Sequence, residues 1–386
     1  MASLLSSKRH KDLPNDLLHK NILPRLPFKY LNRLKCISKE LHSLISTDAK
    51  FAADQSQLAD TSSSGFVYMN DGVLSFFPDP SLIGVPDPSL NFLNPGNFDL
   101  VSSTNGLLLL EGEFNCKTSL CVCNPATKEM VFIPESVGWE KYSYYLMGLA
   151  FEPCELPNQF TLVQPLLCYH RDCYLYQFTV FRSNIGKWTS SSRSVNLGSY
   201  WVAANPVCAK GVIYWCCSEY LLWYDTKRDL AGSVMLPTIE ERIHVGVCAG
   251  QITFCRSWVG GIEVWRLTRG SCWDRLHALS WDGKLDAFNI CHGMHLLRNS
   301  QSEMFFRRHI IFPVGFDGQF VYFAVRLMDR DGLIDRDSTS RLFRWETETG
   351  QVEEKGVINL RKGMWLECHK YANSMARVPQ IWNGTS

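Results

Sequence analysis

Residues 220–229, YLLWYDTKRD, combine an apolar, aromatic run with a polar turn, and the same design recurs along most of the chain. Related segments are 176–188 (YQFTVFRSNIGKW), 262–273 (IEVWRLTRGSCW) and 341–350 (RLFRWETETG). Short runs of Val, Ile, Tyr, Phe and Trp that end in turn residues are typical of strands joined by hairpins. From Phe66 onward, the sequence therefore predicts a large antiparallel all-β domain.

Aromatic residues in these segments indicate the length of a repeat. Phe181, Trp223, Trp265 and Trp345 are separated by 42, 42 and 80 residues, and 80 is nearly twice 42. A period near 40 is what four-stranded propeller blades require, so a domain of about 300 residues would form a β-propeller of about six or seven blades. The alternative, a large β-sandwich in which the spacings agree by chance, stays open.

Residues 13–46, LPNDLLHKNILPRLPFKYLNRLKCISKELHSLIS, follow a different pattern. Apolar residues recur here in steps of three and four, which indicates helices. Pro24 and Pro27 prevent one helix from running through, so we expect a short helix, a kinked corner and a longer helix. A module this small exposes more apolar surface than it can cover, and we expect a partner protein to cover the rest.

This segment resembles the F-box of plant proteins. The matching residues are Leu13, Pro14, Asp16, Leu17, Leu18, Ile22, Leu23, Leu26, Pro27, Lys29, Leu31, Leu34, Lys35, Cys36, Ile37, Ser38, Lys39, Leu44 and Ile45. The family pattern usually has Trp where this chain has Leu41.

The resemblance implies that residues 9–50 bind a Skp-type adaptor and, through it, a cullin scaffold. The adaptor-binding residues that it implies are Leu13, Pro14, Leu17, Leu18, Ile22, Leu23, Leu26, Pro27, Leu31, Leu34, Lys35, Cys36, Ile37, Ser38, Leu44 and Ile45.

Charge in the same region is consistent with docking. Residues 8–50 contain ten Lys/Arg and four Asp/Glu, a net charge of +6. A basic face suits an acidic adaptor mainly by steering the encounter. The alternative, that these side chains only form a solvated helix face, stays open.

Five segments of the β domain resemble the plant F-box-associated domain and follow that family's order. They are 103–110 (STNGLLLL), 123–134 (CNPATKEMVFIP), 148–153 (GLAFEP), 209–215 (AKGVIYW) and 316–326 (FDGQFVYFAVR). This second resemblance implies that the domain binds the protein substrate of a ubiquitin ligase built on that adaptor and cullin, without identifying the substrate.

Composition narrows the function classes. A net charge of +1 and a pI of about 7.5 argue against a general nucleic-acid binder. Fifteen cysteines occur in a chain whose first residues, MASLLSSKRH, are too short and polar for a secretory signal, so reduced thiols in the cytoplasm or nucleus are expected. No apolar run approaches the roughly 18 residues of a membrane span.

No catalytic motif is present in the sequence. It contains no Gly-rich phosphate loop, nucleophile elbow or HExxH motif, and Cys291, His292 and His295 fit no structural zinc pattern. We therefore predict no catalytic residue, no metal and no cofactor. Substrate contacts stay unassigned; loop candidates are Tyr142, Tyr144, Tyr145, His170, Arg171, Asp172, Trp201, Trp258 and His292.

The predicted organisation is a disordered tail (1–8), an F-box (9–50), a linker (51–65), a propeller-like recognition domain (66–375) and a C-terminal tail (376–386). The predicted function is that of a non-catalytic substrate receptor of an SCF-type ubiquitin ligase, leading to ubiquitination and degradation. The alternative is a non-ligase module whose β domain binds a glycan or a small molecule.

Overall fold

Six antiparallel β-sheets form a β-propeller, and four short helices precede it along the chain. A computed structural model describes residues 14–58, 64–70, 73–77, 91–93, 98–114, 117–135, 146–170, 173–197, 206–217, 219–238, 242–258, 260–268, 271–281, 309–327, 340–358 and 368–382. The mainly β fold and the small N-terminal helical part confirm the prediction, and the number of blades is six.

Five blades are four-stranded meanders of consecutive strands. Blade 1 comprises β3 (Phe98–Thr104), β4 (Leu107–Phe114), β5 (Lys117–Asn124) and β6 (Glu129–Phe132). Blade 2 comprises β7 (Gly148–Phe151), β8 (Phe160–His170), β9 (Cys173–Arg182) and β10 (Lys187–Asn196). Blade 3 comprises β11 (Val207–Ala209), β12 (Val212–Cys217), β13 (Tyr220–Asp225) and β14 (Leu230–Met235). Blades 4 and 5 comprise β15 (Ile243–Cys248), β16 (Gln251–Trp258), β17 (Gly261–Leu267), β18 (Trp273–Ser280); and β19 (His309–Phe316), β20 (Phe320–Leu327), β21 (Ser340–Glu346), β22 (Val352–Ile358).

The sixth blade joins strands from the two ends of the propeller sequence. β1 (Ser64–Asn70) pairs with β2 (Val73–Phe77) on one side and with β23 (Cys368–Ala372) on the other. The first strands of neighbouring blades contact one another, and β23 contacts β3 in the same way. β23 is therefore the inner strand of this blade, and its pairing with β1 closes the ring.

Predicted turn residues lie at the ends of the strands. Asn105 and Gly106 join β3 to β4 with φ angles of 45° and 85°, the left-handed backbone that a two-residue hairpin of this kind requires. A side chain at position 106 would also place its Cβ 2.3 Å from the Cβ of Ser374. The predicted hairpin after Asn124 is likewise present, between β5 and β6.

The four aromatic residues of the repeat lie in the third strands of blades 2 to 5. The 80-residue spacing between Trp265 and Trp345 spans no additional blade, because β15 and β19 of these two blades contact each other directly. Much of the extra length falls in residues 282–308 and 328–339, which lie outside the described residues. Spacing alone therefore overstates the possible number of blades.

Apolar side chains from facing sheets form the core. Cys121 and Cys123 contribute to the same cluster, whereas Cys216 and Cys217 belong to clusters on opposite sides of blade 3, as strand alternation predicts. The cysteines that the structure describes are free thiols, and burial raises the pKa of the Cys121 thiol to about 12.

The helices are α1 (Asn15–Leu17), which continues as a π-helix (Leu18–Ile22) and a 3-10 turn (Leu23–Arg25), then α2 (Phe28–Leu34), α3 (Lys39–Thr47) and α4 (Ala49–Leu58). We call residues 15–58 the helical module. None of the helices in the described part of the chain is long and apolar enough to cross a membrane.

Part of the predicted linker, 51–65, and part of the predicted tail, 376–386, are ordered. Asp48 caps α4 by accepting a hydrogen bond from the Phe51 N–H (2.9 Å), and Phe51 is buried. Ala376 and Val378 are buried against the propeller. These segments have stable conformations because each has apolar residues that another part of the chain covers.

Trp281 provides a test of the inter-blade core. It is 1% exposed, packs on Trp345 with ring centroids 5.1 Å apart, and donates its Nε1–H to the Trp258 carbonyl (3.0 Å). Trp281→Ala should lower the free energy of unfolding by about 3–5 kcal/mol, measured by urea denaturation. The control is Trp258→Ala on the same blade, which is 40% exposed and should cost about 1 kcal/mol or less. Equal losses in the two variants would contradict this packing.

Candidate functional site

The first helical run of the module begins at a proline. Pro14 lies at the N-cap of α1, and its carbonyl accepts hydrogen bonds from the N–H groups of Leu17 (2.9 Å) and Leu18 (3.1 Å). Asp16 and Lys20 form an ion pair (2.9 Å) on the surface, which lowers the pKa of the Asp16 carboxyl. The run ends at Arg25 and α2 begins at Phe28, so the predicted break lies at Leu26 and Pro27, whereas Pro24 lies inside the 3-10 turn. The expected longer helix is two helices, α2 and α3.

The turn between α2 and α3 exposes a mixed surface. The Ser38 hydroxyl caps α3 by accepting a hydrogen bond from the Leu41 N–H (3.1 Å). An open pocket of about 370 Å³ is lined by Lys35, Cys36, Ile37, Ser38, Lys39 and His42. Burial and the nearby charge of Arg377 lower the pKa of the Lys35 ammonium. The pocket thus places the apolar side chain of Ile37 beside the ammonium groups of Lys35 and Lys39 and the uncharged side chains of Cys36 and Ser38.

One side of the module forms its core. The buried residues of this core are Leu23, Phe28, Leu31, Ile45, Phe51, Ala52, Ala126 and Met375, and Leu18, Leu26, Leu34, Leu41 and Leu44 pack around them. Ala126 and Met375 belong to the propeller side of the chain, so the propeller itself covers part of the module. A partner protein is therefore not needed to cover this side.

The other side presents large apolar residues to solvent. Leu17 is 47% exposed, Ile22 42%, Tyr30 54% and Ile37 68%. Exposed apolar residues mark interaction sites where they form a patch, and these four lie within one small helical module. We call these four residues the exposed face.

The structure separates the predicted adaptor-binding residues into groups, and their role in binding stays a prediction. Leu13 lies outside the described residues. Exposed are Pro14, Leu17, Ile22, Cys36, Ile37 and Ser38; partly buried are Leu18, Leu26, Pro27, Leu34, Lys35 and Leu44; buried are Leu23, Leu31 and Ile45. The buried group holds the module together, whereas the exposed group is available to a partner.

The helical module packs on one end of the propeller. Its contacts there include Ala126 in the β5–β6 turn, Met375 after β23, and Cys154 after β7, whose thiol donates to the Ala53 carbonyl (3.4 Å). These positions lie at the end of the propeller where the first and third strands of the blades finish. His170 and Trp258, two of the loop candidates, finish the second strands β8 and β16 and therefore lie at the opposite end of the propeller. The other candidates, Tyr142, Tyr144, Tyr145, Arg171, Asp172, Trp201 and His292, lie outside the described residues.

Two histidines lie on the inner strands β15 and β23. Burial lowers the pKa of His244 to about 4, and burial together with the neighbouring His244 lowers the pKa of His369 to about 3. The Nε2 atom of His369 is buried without a hydrogen-bond partner among the described residues. Within those residues, no group of three or more His, Cys, Asp or Glu is arranged to hold a metal ion. Cys291, His292 and His295 lie outside them.

The sequence does not identify three residues of this region: Tyr30 on the exposed face, and Gln55 and Met375 between the helical module and the propeller. Tyr30 lies on α2 between Lys29 and Leu31 and is exposed because of the side of the helix that it occupies, which the residue type does not indicate. Gln55 is fully buried although the surrounding sequence, QSQLAD, is polar. Met375 is 320 positions from Gln55, and no local signal connects them.

Comparisons with known proteins find a relative that is named for the F-box family. No protein-family model matches the chain. The chain is 26% identical over 266 residues to an Arabidopsis thaliana protein named as a "putative F-box protein"; the match covers 66% of this chain and spans 65% of the length of that protein.

The solved structures that match the chain have little sequence identity to it. A chain of a nidogen/laminin complex is 9% identical with a TM-score of 0.43, covering 81% of this chain and 99% of that one. The β-propeller domain of the Trilobed protease from Pyrococcus furiosus is 12% identical with a TM-score of 0.29, covering 68% and 82%. Neither bears on what this chain binds.

The two inner histidines should make the fold sensitive to acid. Unfolded histidines take up protons below about pH 6.5, whereas native His369 stays neutral until about pH 3. The contribution of His369 to the free energy of unfolding is therefore complete above pH 6.5 and decreases as the pH falls, by about 1–2 kcal/mol at pH 5. The measurement is the stability gap between wild type and His369→Gln, from urea titrations at pH 7 and pH 5.

That gap should narrow at pH 5, because only the wild type contains the uncharged His369. Glu111, whose pKa is raised to about 7 by burial and by Asp99, acts in the opposite direction but is present in both proteins. A gap that stays constant would show that His369 is accessible to protons in the native state.

Proposed function

We propose that this chain is the substrate-recognition subunit of an SCF-type (Skp-cullin-F-box) ubiquitin ligase. The helical module binds a Skp-type adaptor, which links it to a cullin scaffold, and the propeller binds a protein substrate. The chain itself performs no chemistry; it holds the substrate near a ubiquitin-conjugating enzyme, which leads to ubiquitination and degradation. The proposed location is the cytoplasm, the nucleus or both.

The exposed face is the observation that carries the proposal. Leu17, Ile22, Tyr30 and Ile37 stay accessible although the propeller covers the opposite side of the same module. The chain thus keeps an apolar helical surface for another protein. The relative named as a "putative F-box protein" supports identifying that protein as a Skp-type adaptor.

Charge around the exposed face supports an acidic partner. Lys35 and Lys39 line the pocket beside Ile37, and residues 8–50 have a net charge of +6. Because the remainder of the chain must be net negative, this positive charge is local to the region of the module. It should accelerate the encounter with an acidic adaptor.

Substrate binding is proposed for the end of the propeller away from the helical module. The module occupies the end that contains Ala126, Cys154 and Met375. Trp258, at the other end, is 40% exposed and lies under the Arg256 guanidinium, 5.8 Å from the ring centroid. Binding at that end would let adaptor and substrate be bound at the same time.

Removing the apolar contacts of the exposed face should abolish adaptor binding. Leu17→Ala, Ile22→Ala and Ile37→Ala combined should raise the Kd for a Skp-type adaptor at least about 100-fold, because buried apolar anchors contribute most of the energy of an interface. The measurement is co-purification followed by calorimetry. Circular dichroism should stay unchanged because none of the three residues is buried.

The matched control truncates two equally exposed apolar residues of the propeller, Met235→Ala and Val357→Ala, which are 62% and 53% exposed. This control should bind as the wild type does. A wild-type chain that fails to bind any Skp-type adaptor would refute the proposal, and equal binding by the triple variant would refute this choice of face.

Charge reversal beside the pocket should slow association rather than speed dissociation. Lys35→Glu with Lys39→Glu should lower the association rate about tenfold at low salt, with a smaller effect at high salt. Stopped-flow mixing with the adaptor measures it. Lys187→Glu with Lys210→Glu changes the net charge equally on exposed propeller positions. If both pairs slow association equally, the local charge of the module has no special role.

A further inference from the structure

We propose that residues 373–378, which we call the latch segment, hold the helical module in the conformation that binds the adaptor. Adaptor affinity then depends on Gln55 and Met375, which do not belong to the exposed face. The proposal rests on the proposed function for its adaptor arm, whereas its folding arm concerns the free chain alone.

Gln55 connects three parts of the chain. Its side-chain oxygen accepts a hydrogen bond from the Met375 N–H (2.9 Å), and its amide group donates to the Leu26 carbonyl (3.4 Å). The residue is fully buried. Loss of this side chain would deprive the buried Met375 N–H and the partly buried Leu26 carbonyl of this partner, which is costlier than losing an exposed hydrogen bond.

The latch segment is itself fixed to the propeller. Asn124 in blade 1 donates to the carbonyls of Ser374 (3.0 Å) and Ala376 (2.6 Å), and Glu129 accepts from the Val378 N–H (2.9 Å). The backbone of the segment thus pairs with side chains instead of a neighbouring strand. One end of this network is therefore anchored to blade 1, and the module is tied to it through Gln55.

Apolar contact reinforces the polar one. Met375 is 4% exposed and packs in the same cluster as Leu23, Phe28 and Leu31. A helical module of this size has too little interior to be stable alone. The latch segment therefore contributes to the core of the module as well as to its position.

The exposed face is on the same helices that the latch segment supports. Exposed Leu17 is followed directly by Leu18, and exposed Ile22 by Leu23; Leu23 is buried in the module core and Leu18 packs against it. If the helices open part of the time, only the closed fraction binds, and the apparent Kd rises in inverse proportion to that fraction. Loosening the latch should therefore weaken binding without changing any contact residue.

Hydrogen exchange on the full-length chain tests the folding arm. In Gln55→Ala, amides of α2, α3 and α4 should exchange at least about tenfold faster than in the wild type, while amides of blades 2 to 5 should not change. The control is Lys50→Ala, an exposed position on the same helix α4. Met375→Ala keeps the backbone hydrogen bond but removes the apolar contact, and it should act in the same direction.

Calorimetry with a Skp-type adaptor tests the second arm: the Kd should rise about tenfold in Gln55→Ala and stay unchanged in Lys50→Ala. Unchanged exchange in both Gln55→Ala and Met375→Ala would overturn the latch, as would faster exchange with unchanged adaptor affinity. If Gln55→Ala accelerates exchange in all blades, that variant is destabilised as a whole, and exchange in Met375→Ala alone then decides whether the latch segment holds the module. Faster module exchange in a chain whose wild type binds no adaptor would support the folding arm and refute the proposed function.

Discussion

A four-stranded sheet with apolar residues on both faces cannot bury them alone, and this constraint governs the molecule. Cys216 and Cys217, adjacent in β12, contribute to clusters on opposite sides of blade 3. Each blade therefore needs two neighbours, and a row of blades satisfies all of them only by closing into a ring. The pairing of β23 with β1 provides that closure, and the helical module attaches beside it through Met375.

Much of the propeller is predictable from sequence because its signals are local. Asn105 and Gly106 mark a tight hairpin that the backbone angles confirm, and Trp223 and Trp265 mark third strands of consecutive blades. The number of blades is less predictable, because packing constrains strands and not the connections between them. The long interval from Trp265 to Trp345 is therefore compatible with one blade step or two, and contact between β15 and β19 decides for one.

The candidate site is predictable as a helical segment but not as a surface. The leucine pattern of residues 13–46 predicts helices with apolar stripes, yet Leu17 is exposed and Leu18, beside it, packs in the core. Which stripe faces outward depends on what covers the other one. That cover comes from Ala126 and Met375, far along the chain, so sequence periodicity within the segment cannot reveal it.

Ring closure by the last strand also has a consequence for biosynthesis. A ribosome makes the helical module before the propeller, but the Met375 that completes its core emerges only after all six blades have been translated. Until then, the inner edge of β1 has no partner, and unpaired strand edges are prone to wrong association during synthesis. A chain that terminates before β23 would therefore lack both a closed propeller and a complete module, and translation through Met375 becomes a condition for both parts to reach their native state.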